Sequence, residues 1–198
     1  MKTRIAVFVS GGGTNLQALI DAAARGELPS GELALVLSSS PKAYALERAA
    51  HAGIPTAVVR SNEPEHEQKI LDILQAHSID MIVLAGYMSI LSEDFTKRFP
   101  NRILNVHPSL IPAFCGKGYY GLRVHEEALR RGVKATGATV HFVNEIPDGG
   151  EILLQKAVEV LPGDTPQALQ RRVMEQAEWK LLPQATEAVA HRIKEERE

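Results

Sequence analysis

Residues 4–26 read RIAVFVSGGGTNLQALIDAAARG, and the change of periodicity inside this stretch decides the fold. RIAVFVS is an apolar run of strand length and reads as a buried strand. Three consecutive glycines follow. NLQALIDAAARG then has the apolar spacing of a helix, closed by Gly26. A strand feeding a glycine-rich turn and a helix is the opening unit of an α/β sheet. The same alternation continues downstream. LALVLSSS is a strand and YALERAAHAG a helix with Gly53 as its C-cap. PTAVV is a strand, and PEHEQKILDILQAHS a helix opening at Pro64. IDMIVLAGY is almost continuously hydrophobic, which indicates burial on both faces, as in a parallel sheet. SEDFTKRF is a short helix with Ser92 as N-cap, and NRILNVH a fifth strand.

These elements predict a doubly wound, mostly parallel open sheet, a Rossmann-like α/β fold. The second part changes character. After the glycine-rich loop CGKGYYG and the helix LRVHEEALRRG, the segments ATVHFVN and ILLQKAVEVL read as an antiparallel strand pair joined through PDGG. The rest is helical, interrupted at Pro183, with a charged and frayed tail. At 198 residues one domain with its own core is expected, and no internal repeat or linker divides it.

Composition narrows the function classes. A net charge of −2 with no long Lys/Arg cluster leaves no footprint for nucleic acid. Cys115 is the single cysteine, so neither a disulfide framework nor a cysteine-based zinc site is expected. The histidines lack metal-ligand spacing, so no metal is expected. No apolar run reaches the length of a membrane span, and a cytoplasmic setting is the default expectation.

Three features carry chemistry. Gly11–Gly13 with Thr14 and Asn15 form a strand-to-helix loop whose exposed amides suit a phosphate. A dinucleotide is a poor match. Leu16 stands where a third glycine is needed, and the second strand ends in Ser38, Ser39 and Ser40 without an acid for a ribose. A small phosphorylated metabolite fits better. In NVHPSLIPAF (105–114), Asn105 and His107 are two apart on a strand and project from one face, with Pro108 and Pro112 stiffening the exit. That spacing suits a catalytic pair, and equally a structural histidine beside a turn-forming asparagine. Asp148 in PDGG has a plain turn reading as well. His141, between apolar neighbours, reads as a hydrogen-bonded supporting residue. Cys115 reads as a small residue in a glycine-rich loop.

SGGGTNLQALID, LAGYMSIL, ILNVHPSLIPAF, GATVHFVNE and DGGEILLQ, in this order and spacing, resemble the phosphoribosylglycinamide formyltransferase family, the folate-dependent transformylases of purine synthesis. The similarity runs from about residue 3 to residue 185. It implies a single formyltransferase domain, with a phosphate-binding half over about 1–100 and a folate and catalytic half over about 101–198. It also implies formyl transfer from the co-substrate 10-formyltetrahydrofolate to the amine of 5′-phosphoribosylglycinamide, by a monomer or homodimer. Asn105, His107 and Asp148 become a catalytic trio on this ground. Asn105 and a protonated His107 would donate to the oxyanion, while Asp148 assists proton transfer and raises the His107 pKa.

By the same resemblance Gly13, Thr14, Asn15, Glu175 and Glu178 contact the ribonucleotide. Met88, Ser89, Ile90 and Leu91 face Asn144, Glu145, Ile146, Pro147 and Asp148 across the folate pocket, with Asn105 beside them. Two departures stand out, since several relatives carry arginine at the positions of Ser89 and Glu63. Lys117 or Arg123 in the longer loop would have to supply the missing charge. Formyltetrahydrofolate hydrolases and methionyl-tRNA formyltransferases share the core but usually carry an additional domain, which is not expected here. A non-catalytic nucleotide-phosphate module is the remaining alternative.

Overall fold

In a computed structural model, which describes residues 1–197, seven strands form one sheet. In chain order the elements are β1 (Thr3–Val9), α1 (Thr14–Ala24), β2 (Gly31–Ser38), α2 (Ala45–His51), β3 (Thr56–Val58), α3 (His66–Ala76), β4 (Met81–Leu84) and α4 (Glu93–Thr96). After these come β5 (Ile103–His107), α5 (Leu122–Arg131), β6 (Ala135–Phe142), β7 (Ile152–Glu159), α6 (Pro166–Val173) and α7 (Trp179–Glu195). The strand order is β3-β2-β1-β4-β5-β6-β7. β1 to β5 run parallel, whereas β6 is antiparallel to both β5 and β7.

The order reverses direction between β1 and β4, and this places a crevice outside their carboxyl ends. The apolar run of β1 is explained by its position. Ile5, Val7 and Val9 pack with α1 and α7 residues such as Leu16, Leu19 and Val189. Ala6 and Phe8 point the other way, into a second core with Ile70, Leu74 and Phe95. All five β1 side chains are fully buried. The expected N-cap at Ser92 is present, its Oγ accepting from the Phe95 amide at 3.1 Å.

Three local expectations are corrected. α3 begins at His66 rather than at Pro64, because Glu65 takes a left-handed conformation (φ 54°) that ends the preceding turn. The C-terminal helix is not interrupted at Pro183, which is buried within α7. The irregularity lies upstream, in a π-helical turn over Met174–Glu178. The tail is tied down rather than frayed. Arg197 forms a two-pronged pair with Asp80, Arg102 reaches Glu196 at 2.9 Å, and Arg192 donates to the Asn101 carbonyl. Sequence pattern shows the tail's charges but not their partners, which lie about 90 to 117 residues away.

Gly137 on β6 pairs with Ala157 on β7, whose backbone lies close against it. A Cβ at this position would lie 2.0 Å from the Lys156 carbonyl oxygen and 2.9 Å from Leu110. Backbone must move to admit it, so Gly137→Ala should destabilise the fold by about 2–3 kcal/mol. Calorimetry should register this as a melting temperature lowered by about 4–12 °C.

Candidate active site

β5 delivers Asn105 and His107 to the carboxyl edge of the sheet, and alternation along the strand turns both to one face. The antiparallel β6 sets His141 directly opposite Asn105. Asp148 comes from the loop joining β6 to β7, held in a left-handed conformation (φ 55°) that aspartate tolerates better than most residues. These four side chains meet. The Asp148 carboxylate accepts from the Gly116 amide at 2.8 Å and from Asn105 Nδ2 at 3.4 Å. It faces His107 Nδ1 and His141 Nε2, each at 3.5 Å. Residues about forty apart in sequence are thus in direct contact.

The remaining ring nitrogens fix the imidazoles. His141 Nδ1 lies 2.8 Å from the Phe142 carbonyl, and its Nε2 lies 3.1 Å from Asn105 Nδ2. His107 Nε2 donates to the Phe114 carbonyl at 2.8 Å. Phe114 and Gly116 belong to the longer loop that the sequence left unassigned. This loop supplies one acceptor to His107 and one donor to Asp148. Glycine-rich composition signals a turn there, but not which carbonyl or amide points inward.

Electrostatics correct one expectation. Burial lowers the His107 pKa below its ordinary 6.5, and the neighbouring Asp148 carboxylate and Phe114 carbonyl, which raise it, do not offset that loss of hydration. His107 is therefore mainly neutral near neutral pH, not an imidazolium. Asp148 is held below the usual carboxylate range. Its burial works the other way, but the His141 hydrogen bond, the His107 charge and the Gly116 amide prevail. His125, on α5, is fully buried with neither ring nitrogen hydrogen-bonded, and burial lowers its pKa to about 4. Nothing in the helical pattern around His125 distinguished it from a surface histidine.

The glycine-rich loop lies at the end of β1, separated from β5 by β4. Gly13 caps α1 at φ 71°, and the first-turn amides of that helix have no intrahelical acceptors. α2 grips the loop from behind. The Ala45 amide donates to the Gly11 carbonyl (3.1 Å) and Arg48 Nε to the Gly12 carbonyl (2.8 Å). A side chain at position 13 would lie 2.6 Å from Ala45 Cβ, so glycine is required there for packing as well as for conformation.

Asn15 Nδ2 donates to Glu178 Oε2 at 2.8 Å, which brings the π-helical turn against the loop, and Asn15 Oδ1 is buried without a partner. Desolvation raises the Glu178 pKa to about 7. Thr14 is exposed and makes only a long contact to the Met174 sulfur (3.8 Å). Glu175 is exposed and paired with Arg171 at 2.8 Å.

Beside Asn105, His141 and Asp148 lies a slot of about 100 Å³. Leu84, Tyr87, Ile90 and Leu91 line one side, and Asn144, Ile146, Pro147 and Asp148 the other. Met88, Ile90 and Ile146 are more than half exposed, an apolar rim of the kind that a flat ring would cover. Ser89 lies on this rim. Glu63 is turned to its own neighbourhood, accepting from the Arg60 amide and pairing with Lys69 Nζ at 2.9 Å. Lys117 and Arg123 are both exposed, on the long loop and at the start of α5. Among the described residues no group of three or more His, Cys, Asp or Glu is arranged to hold a metal ion.

Two measurements follow from these charges. An NMR titration should place the His107 pKa below 6.5, and Asp148→Asn should lower it further, because the carboxylate is a raising influence. A rise on removing Asp148 would contradict the arrangement. For Glu178, a folded pKa above the ordinary 4.5 means stability present at low pH and lost as pH rises through about 7. Glu178→Gln keeps the Asn15 contact without the charge. Its melting temperature should match the parent below about pH 4 and exceed it above about pH 8, the gap representing on the order of 3 kcal/mol.

Residues 3–186 match the family model described as Formyl transferase. A phosphoribosylglycinamide formyltransferase of Haemophilus influenzae is 46% identical over 184 residues, covering 91% of this chain and 84% of that protein. The crystal structure of glycinamide ribonucleotide transformylase 1 from Symbiobacterium toebii aligns with a TM-score of 0.88 at 41% identity, covering 96% of this chain and 88% of that one. A formyltetrahydrofolate deformylase structure from Burkholderia mallei is also similar, at 28% identity and a TM-score of 0.84, with 97% of this chain and 66% of that one covered. The family match takes in both the glycine-rich loop and the Asn105–His107–Asp148 cluster, and the chain belongs to the formyl transferase family, on its phosphoribosylglycinamide formyltransferase branch.

Proposed function

We propose that this enzyme transfers the formyl group of 10-formyltetrahydrofolate to the amine of 5′-phosphoribosylglycinamide, as a step of purine synthesis. The observation that carries the reading is the meeting of Asn105, His107 and Asp148 at the carboxyl edge, the same edge that carries the amide-rich loop at the end of β1. The bound folate supplies an activated one-carbon unit. The first-turn amides at Gly13, Thr14 and Asn15 hold the ribonucleotide phosphate, with the helix dipole adding to the attraction. Glu178 and the free Asn15 Oδ1 face the rest of the ribonucleotide, and Glu175 sits at its margin. Met88 to Leu91 and Asn144 to Asp148 enclose the folate ring, Ser89 lying among the apolar side chains.

The amine attacks the formyl carbon, and negative charge grows on the formyl oxygen. Asn105 Nδ2 is already aimed across the site, and its long contact to Asp148 (3.4 Å) is the one exchanged for that oxygen. His107 enters neutral, its Nε2 proton committed to Phe114, so Nδ1 is free to take up a proton. The adjacent carboxylate and the developing oxyanion both favour that step. The proton lost by the attacking amine is held within the His107–Asp148 pair and returned to the departing folate nitrogen. The enzyme is placed in the cytoplasm, as a monomer or homodimer acting on small molecules.

The test mixes the protein, 5′-phosphoribosylglycinamide and 10-formyltetrahydrofolate, and follows the absorbance of deformylated folate. Deformylation that depends on the ribonucleotide supports the transferase. Deformylation without it assigns a hydrolase instead. Asp148→Asn and His107→Ala should each lower kcat on the order of 10² to 10³, with ribonucleotide affinity nearly intact. The double variant should fall short of the summed losses, because the two groups act as a unit.

A further inference from the structure

β1 and β4 are neighbours, paired up to Ala85, whose amide donates to the Phe8 carbonyl at 2.8 Å. Past that point the ladder ends, and the two chains leave for different loops, residues 10–13 and 86–91. A side chain bridges the gap. Ser10 Oγ accepts from the Met88 amide at 2.9 Å. It also lies 2.7 Å from Ser39 Oγ, at the end of the neighbouring β2. A hydroxyl has one proton and two lone pairs, so the Met88 bond persists whichever way the Ser10–Ser39 bond runs.

We infer that Ser10 is a positioning residue that couples the two substrate sites, its hydroxyl transmitting the placement of the phosphate loop to the folate-facing residues 88–91. The inference deepens the proposed function and rests on it. Gly11 and Gly12 are exposed and would meet nothing within 4 Å if they carried a Cβ, so packing does not hold this part of the loop. Its position is set by its attachments, the two carbonyls gripped by α2 and the hydroxyl at its root. A phosphate that draws the loop amides toward itself shifts Ser10. Met88 shifts with it, because its amide is bonded to that oxygen. Ser89 and Ile90 follow at the rim of the folate slot. Ribonucleotide occupancy thus prepares the folate site, and linkage requires the reverse effect to be equal.

Calorimetric titration tests this with 5′-phosphoribosylglycinamide and tetrahydrofolate, each alone and in the presence of the other. One hydrogen bond of ordinary strength predicts that each ligand tightens the other about fivefold in the parent protein. Ser10→Ala should abolish that factor while leaving each ligand's separate Kd within about twofold. Ser10→Thr, which keeps the hydroxyl, should retain the coupling. Full coupling in Ser10→Ala would overturn the inference, and so would its loss in both variants, which would assign the effect to packing. Binding of both ligands to the parent without mutual tightening also overturns it, but leaves the transferase reading intact. Failure of the parent to bind either ligand removes that reading and the coupling together.

Discussion

The parallel pairing of β1 with β4 is the constraint on which the molecule depends. Both strands are covered by helices, so their side chains are apolar on both faces and their backbones have only each other and the outer strands for partners. Because the connections from these two strands run outward in opposite directions, the sheet opens between them. Sheets of this topology bind ligands in the crevice outside their carboxyl ends. The glycine-rich loop, the apolar rim of residues 88–91 and the Asn105–His107 pair are arranged around that crevice, each at the end of a strand whose interior is pure core. Precision at the site is inherited from packing below it.

Above the sheet, the Asp148 carboxylate organises the chemistry. Four groups from three segments face it: Asn105 and His107 on β5, His141 on β6, and Gly116 in the long loop, of which Asn105 Nδ2 and the Gly116 amide donate to it. The group is poorly hydrated, and this cuts both ways. Burial makes a charged His107 costly in the resting protein, while the same low dielectric strengthens its attraction to a growing oxyanion. A neutral histidine beside an ionised aspartate is therefore a resting state that the reaction itself can charge. Around Glu178 the balance is different. Glu178 has Asn15 but no cation beside it among its named partners, and its carboxyl is pushed into the physiological range.

The departures from several relatives are local. Glu63 is neutralised by Lys69 and tied to Arg60, so its carboxylate is engaged within its own loop. Ser89, between the exposed Met88 and Ile90, brings no charge to the rim of the apolar slot. Cys115 is flanked by two working backbone groups, the Phe114 carbonyl and the Gly116 amide, and its own side chain reaches only the Pro112 carbonyl. A small residue suffices at that position because the backbone does the contacting.

Periodicity alone determined the parallel sheet, because strands buried on both faces read as continuous apolar runs and helices as stripes. It also located the glycine-rich turn between β1 and α1, and it set Asn105 and His107 on one face through alternation. Resemblance supplied Asp148. Tertiary structure decided what local pattern cannot carry. The partners of the C-terminal charges lie up to 117 residues away, and the start of α3 depended on the left-handed Glu65 rather than on Pro64. Pro183 stayed inside α7, the irregular turn falling instead at Met174–Glu178. The loop around Phe114 and Gly116 acquired its role only when folded against Asp148. The charge of His107 was the largest such difference: a neighbouring carboxylate suggests an imidazolium, but desolvation depends on everything packed around the ring, and the linear chain does not specify that.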